Sequence, residues 1–132
     1  MRSKIWLAAS LCLVLSPVGC GQRVNVEKIV TLEVDQPKAP IVLEGPKSDQ
    51  KIKVEFNSTD GPITAQIIVG KDENAILDQL QKKSLTGLDV KAKMEKAKDG
   101  ILEATIPAGK DYGVYLSGAT KKTSVVVKVK SL

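Results

Sequence analysis

The sequence predicts an antiparallel β-sandwich of seven or eight short strands with one short helix inserted. Apolar residues recur at every second position through most of the chain after residue 24, the period of a strand with one buried face. Clusters of Gly, Pro and Asp punctuate these segments at short intervals, as turns between strands require. Aromatics make up only 3% of the chain, so the core must be built from Val, Ile, Leu and Ala, with β-branched packing that suits a pleated surface.

The elements follow in order. Val24, Val26, Val30, Leu32 and Val34 point one way, while Asn25, Glu27, Thr31 and Glu33 point the other. Pro37 and Pro40 then interrupt and leave Ile41-Val42-Leu43 as a short edge strand, because proline donates no ladder hydrogen bond. Ile52, Val54 and Phe56 alternate with Lys51, Lys53 and Glu55. Asp60-Gly61-Pro62 is a turn, and Ile63, Ala65, Ile67 and Val69 start the next strand.

The period changes at Asp72. Residues 72–83 read as an amphipathic helix with acids in the first turn and Lys82-Lys83 in the last, the arrangement the helix dipole favours. Ile76, Leu77 and Leu80 form its buried stripe, and Gly87 lies past its end. Leu88, Val90, Ala92 and Met94 again alternate with charges and suggest a strand, although Val90, Met94 and Ala97 also fit a helical face. Lys98-Asp99-Gly100 marks a turn before a strand from Ile101 to Ile106. Tyr112 to Leu116 is another strand, and Thr123 to Lys130 closes the chain with Val125, Val127 and Val129 on one face. No repeat or internal linker divides residues 24–132, which read as one domain.

One motif sharpens the fold class. Ile106-Pro-Ala-Gly-Lys-Asp-Tyr112, followed by Val114 and Leu116, resembles the tyrosine corner of Greek-key sandwiches. It is similar to the corresponding turn of fibronectin type III domains and to the Ala-Gly-x-x-Tyr run of bacterial pre-peptidase C-terminal domains. The resemblance covers about residues 101–130 and implies a Greek-key order. It also implies structural roles: Gly109 permits the turn, and the Tyr112 hydroxyl bonds back to the backbone of the corner.

The first nineteen residues are of another kind. Arg2 and Lys4 make a positive start, Ile5 to Leu15 an apolar run, and Ser16-Pro17 a break before Val18-Gly19-Cys20-Gly21. About 14 apolar residues make a helix of roughly 21 Å, too short for about 30 Å of bilayer hydrocarbon. The charge order and length are those of an export signal. Gly19-Cys20 resembles the lipobox of bacterial lipoproteins, in which a small residue precedes the lipidated cysteine. The resemblance implies a signal peptide over 1–19, acylation of Cys20, a short tether over 20–23 and a sandwich domain over 24–132. Gly21 is not the aspartate that retains such proteins in the inner membrane, which implies an outer-membrane destination. Ordinary cleavage before Gln22, giving a soluble secreted or periplasmic protein, is the competing reading.

Composition narrows the chemistry. The formal charge is +5, of which Arg2 and Lys4 leave with the signal, so the mature chain carries +3. That excess is small and dispersed, and it does not point to nucleic acid. The chain has no histidine, which removes the usual general base and the commonest metal ligand. Cys12 lies inside the signal, so acylation of Cys20 would leave no free thiol, disulfide or cysteine metal site. Ser-His-Asp and Cys-His chemistry is therefore excluded. Ser117 and Ser124 could meet a lysine only by chance pairing, and the scattered acids nominate no carboxylate pair. Asp72, Glu73 and Asp78 lack the loop of a hard-cation site, and no metal or cofactor is expected.

Two surfaces remain as candidates for binding. Tyr115 shares its strand face with Gly113 and is the sole candidate for an exposed aromatic platform, since Phe56 and Tyr112 fall on apolar faces. Lys91, Lys93, Lys128 and Lys130 lie on outer strand faces, with Lys96, Lys98, Lys121 and Lys122 at adjoining turns. If their strands are neighbours, they make a basic surface for anionic headgroups or a polyanionic envelope polymer. Otherwise they give solubility and guard sheet edges. The expected protein is a non-enzymatic, lipid-anchored interaction or structural module of the cell envelope, with a polyanion- or glycan-binding sandwich as the alternative.

Overall fold

The computed structural model describes residues 24–132. The signal over 1–19, Cys20 and the tether over 20–23 lie outside the described residues. The strands are β1 (Asn25–Leu32), β2 (Lys38–Leu43), β3 (Gln50–Ser58), β4 (Ile63–Val69), β5 (Asp89–Ala97), β6 (Asp99–Ile106), β7 (Tyr112–Ser117) and β8 (Thr123–Ser131). One helix, α1 (Glu73–Gln81), separates β4 from β5. The strands form two four-stranded antiparallel sheets, ordered β1-β8-β3-β6 and β2-β7-β4-β5.

The pairing has a simple logic. First strand pairs with last, second with seventh, third with sixth and fourth with fifth. The chain is thus one long antiparallel hairpin rolled into two layers, the jelly-roll form of a double Greek key. The periodicity and turn spacing predict the antiparallel sandwich of seven or eight strands, and the order is the Greek key that the corner resemblance implies.

Alternation fills the space between the layers. Ile52, Val54 and Phe56 of β3 and Val125, Val127 and Val129 of β8 meet Ile63, Ala65 and Ile67 of β4 and Val114 and Leu116 of β7. All of these are buried. Burying each such aliphatic side chain stabilises the fold by about 1.5–3 kcal/mol before the cost of ordering the chain. Polar atoms inside this rim are paired. Ser58 Oγ donates to the Gly61 carbonyl, Thr123 Oγ1 accepts from the Asp60 amide, and the two hydroxyls lie 2.7 Å apart. Since the Ser58 proton is committed, Thr123 is the donor between them.

Local departures have local causes. β1 stops at Leu32, because Asp35 takes a left-handed backbone (φ 55°) and gives its amide to the Ala119 carbonyl. Val34, expected on the buried face, is therefore exposed. β2 is the edge strand its prolines predict, with a register shift between Lys38 and Ile41. β5 is a strand rather than a helix, and two bulges explain its mixed periodicity. An extra residue at Lys91 turns Val90 outward while Ala92 and Met94 join the main core. A second, between Met94 and Ala97, includes Lys96 at φ 54°.

The helix is shorter than residues 72–83, because both predicted ends serve as caps. The Asp72 carboxylate accepts the Ala75 amide at 3.0 Å. At the other end Lys83 donates to the Leu80 carbonyl and Ser84 to that of Gln79, both at 3.0 Å. This is a Schellman closure in which Lys83, at φ 59°, occupies the left-handed position usually held by glycine. Ile76 and Leu80 are buried and Leu77 is partly buried, as the stripe predicts. Together they lay α1 on the outer face of the β2-β7-β4-β5 sheet and form a second small core with Ile68 and Tyr115.

Candidate functional site

The lysines do not form one surface. Lys91 and Lys93 lie on β5, an edge strand of the helix-covered sheet, whereas Lys128 and Lys130 lie on β8, an inner strand of the other sheet. The two pairs therefore belong to different layers, and the neighbourhood the basic-face reading requires is absent. Three of the four also stand beside acids. Lys91 pairs with Asp89 at 3.3 Å and Lys93 with Glu95 at 2.9 Å. Lys128 stands between Glu27 and Glu55 across the ladder, while Lys130 lies between Asn25 and Lys53. Bonding to Lys93 and the charge of that ammonium hold the Glu95 carboxyl below its usual range. On β5 the lysines do sit where they guard a bulged sheet edge.

Tyr115 is not an exposed platform. It is fully buried, because α1 covers the face it shares with Gly113. Its ring lies over Gly113, where a Cβ would stand 3.1 Å from Tyr115 Cε1. Sequence alternation assigned the correct face but could not show that a helix roofs it. Burial, then the nearby Glu73 and Asp72 charges, push the Tyr115 hydroxyl up to about 12.

The corner motif is half as expected. Gly109 has the left-handed backbone of a turn (φ 75°), and its amide donates to the Pro46 carbonyl at 2.8 Å. Tyr112 is 1% exposed and faces the main core, but its hydroxyl has no hydrogen-bond partner. The expected bond back to the corner is not formed. Other groups tie the turn instead: the Asp49 carboxylate accepts the Ala108 amide, and Asp111 accepts that of Gly45. Gly45 comes so close to Gly109 that a Cβ there would lie 2.4 Å from the Gly109 carbonyl carbon. Burial raises the Tyr112 hydroxyl above its ordinary value.

The polar groups that do converge lie on the outer face of the helix-covered sheet. Gln66 of β4 stands directly between Tyr115 of β7 and Lys93 of β5, and Thr64 faces Ser117 one row away. Gln66, Lys93, Thr64 and Ser117 line a groove of about 380 Å³ that runs under the C-terminal end of α1, walled by Leu80, Gln81, Lys83 and Leu85. Asp35, Pro37 and Gly118 close its other side, and Gln81 Nε2 donates to the Asp35 carbonyl at 3.1 Å to join helix and loop. Gln66 is 3% exposed, and its amide oxygen has no partner. Among the described residues the other unpartnered buried side-chain atoms are the two tyrosine hydroxyls, and Tyr115 is Gln66's cross-strand neighbour.

The sequence carried one signal for this site. Ile67-Ile68-Val69 is continuously apolar, so β4 must be covered on both faces there. Gln66, on the same face as Ile68, is then a polar side chain under cover. No protein-family model matches the chain, and no curated protein is significantly similar to it.

Proposed function

We propose that the chain is a lipid-anchored, non-enzymatic module of the bacterial cell envelope. Residues 1–19 direct export, Cys20 carries the acyl chains, and the sandwich serves as an interaction or structural domain held close to the membrane. The reading is carried by where the fold begins. β1 starts at Asn25, five residues after Cys20, so a signal cleaved at that cysteine removes no part of the sandwich. A tether this short spans at most about 14–18 Å and keeps the domain near the headgroups. Several acyl chains on one cysteine make a stable anchor, whereas one chain alone is marginal.

The interaction role follows from what the domain offers. It has no histidine, Ser58 is bonded at a turn, Asp72 caps the helix, and Glu55 and Glu103 stand in surface ion pairs. The polyanion alternative loses support from the separation of its lysines and from the ion pairs of Lys91 and Lys93. Intact-mass measurement on the membrane fraction tests the anchor. A mature species starting at acylated Cys20 is expected, and one starting at unmodified Gly21 or Gln22 overturns it. Crosslinking in intact cells tests the interaction role: a stable envelope protein partner is expected, and an empty result counts against it.

A further inference from the structure

The groove under α1 is marked by a buried polar side chain. Its floor holds a buried amide, that of Gln66, whose oxygen makes no hydrogen bond. A buried carbonyl left without a partner has given up water and gained nothing in return, which destabilises the fold. A fold with an otherwise aliphatic core has an easy alternative at this position, a leucine. The amide is retained beside two hydroxyls, Thr64 and Ser117, and beside an ammonium–carboxylate pair, Lys93–Glu95. These groups share one face of three adjacent strands, so donors and acceptors converge on one small volume.

The backbone around the groove is also unusual. Asp35, Lys83 and Gly118 all line it, and all three take left-handed conformations, at φ 55°, 59° and 73°. Two of these carry side chains, and of them Lys83 is of a type that seldom takes such backbone. Strain of this kind gathers where geometry serves a site.

Charge and shape identify the ligand class. Asp35 and Glu95 offset Lys83 and Lys93, so the lining favours neither an anion nor a cation. Polar groups lie on the floor, while Leu80, Leu85 and Pro37 give the walls an apolar surface. The site sits on the face of a sheet rather than along a free edge, so it offers no backbone ladder to an extended peptide. We propose that this groove binds a neutral, multiply hydroxylated ligand, a carbohydrate of mono- or disaccharide size. Its hydroxyls donate to Glu95 and accept from Lys93, a turn of the Gln66 side chain brings its covered amide oxygen to a further hydroxyl, and its C–H faces lie against the leucines. The inference is independent of the anchor, because the groove belongs to the folded domain whether or not Cys20 is acylated.

The test uses the full-length protein in detergent, isotopically labelled for NMR. Maltose and N,N′-diacetylchitobiose serve as neutral probes and digalacturonate as the anionic one. At least one neutral probe should bind saturably and shift the Gln66 side-chain amide, with digalacturonate weaker. Gln66→Leu should lower that affinity by about tenfold or more while leaving the melting temperature equal or higher, since it removes an unpartnered amide. Ser117→Ala, on the partly exposed rim, should weaken binding by about threefold with an unchanged melting temperature. The proposal is overturned if neither neutral probe moves the Gln66 amide at tens of millimolar. It is equally overturned if Gln66→Leu binds as tightly as the parent, or if digalacturonate binds best.

Discussion

The two outer faces of the sandwich start from the same pattern and end differently. On the β1-β8-β3-β6 sheet the outward positions carry Glu27, Lys128, Glu55 and Lys53, with Ile29 70% and Ile101 53% exposed among them. On the β2-β7-β4-β5 sheet the outward positions include Gln66, Ile68, Gly113, Tyr115 and Val90, and α1 covers much of that face. The first face is held by water and by pairs such as Lys51–Glu103 and Lys53–Glu55, which add little to stability. The second is a thin additional core, and it holds Gln66 and Tyr115, two of the three buried side chains with an unpartnered polar atom among the described residues. Cover therefore does two things here: it buries apolar surface, and it creates the dry polar floor of the groove.

The comparison can be broken most directly at the helix. Leu80→Ala should destabilise the protein by about 2–3 kcal/mol in urea titrations, because it removes a buried anchor of α1. If the loss is below about 0.5 kcal/mol, α1 is not an integral part of the second core.

The next largest difference should come from pH. The Tyr115 hydroxyl is raised from 10.0 to about 12 in the folded state. A raised acid favours its neutral form on folding, so its contribution is complete below pH 10 and is lost as pH rises through 12. The free energy of unfolding of the parent should therefore fall more steeply between pH 10 and pH 12 than that of Tyr115→Phe. At neutral pH the same substitution should be neutral or slightly stabilising, since it removes a hydroxyl without a partner.

A smaller effect is expected where the helix ends. Lys83→Gly should raise stability by about 0.5–1 kcal/mol, measured by the same titrations, because glycine holds the left-handed position without strain. The smallest belongs to the uncovered face. Ile101→Thr should change stability by less than about 0.5 kcal/mol, as expected for an exposed position with no special role. A large loss there would mean that this face, too, is packed.

The strands were legible because their periodicity is a local property. Val125, Val127 and Val129 alternate with Ser124, Val126 and Lys128, and no distant contact is needed to know that one side of β8 is buried. β5 was ambiguous because its bulges break the period, and a bulge depends on the register with β4. Tyr115 was assigned to an outer face correctly but to solvent wrongly, since burial there depends on a helix more than thirty residues away in sequence. The lysines of β5 and β8 could be matched to faces but not to each other, because pairing order is not written in either segment. Gln66 was overlooked for the same reason: a single polar residue in an apolar strand acquires meaning only when its cover is known.

The sequence by itself determined the class of fold, most of the strand faces, the helix with its buried stripe, and the absence of histidine chemistry. These depend on spacing along the chain and on composition. Only the tertiary structure decided the rolled-hairpin order, the placing of α1 over one sheet, the separation of the lysines and the gathering of Gln66, Thr64, Ser117 and Lys93. Those outcomes rest on contacts between segments far apart in the chain. Each is set by which of several compatible pairings buries the most apolar surface with the fewest unpaired polar groups.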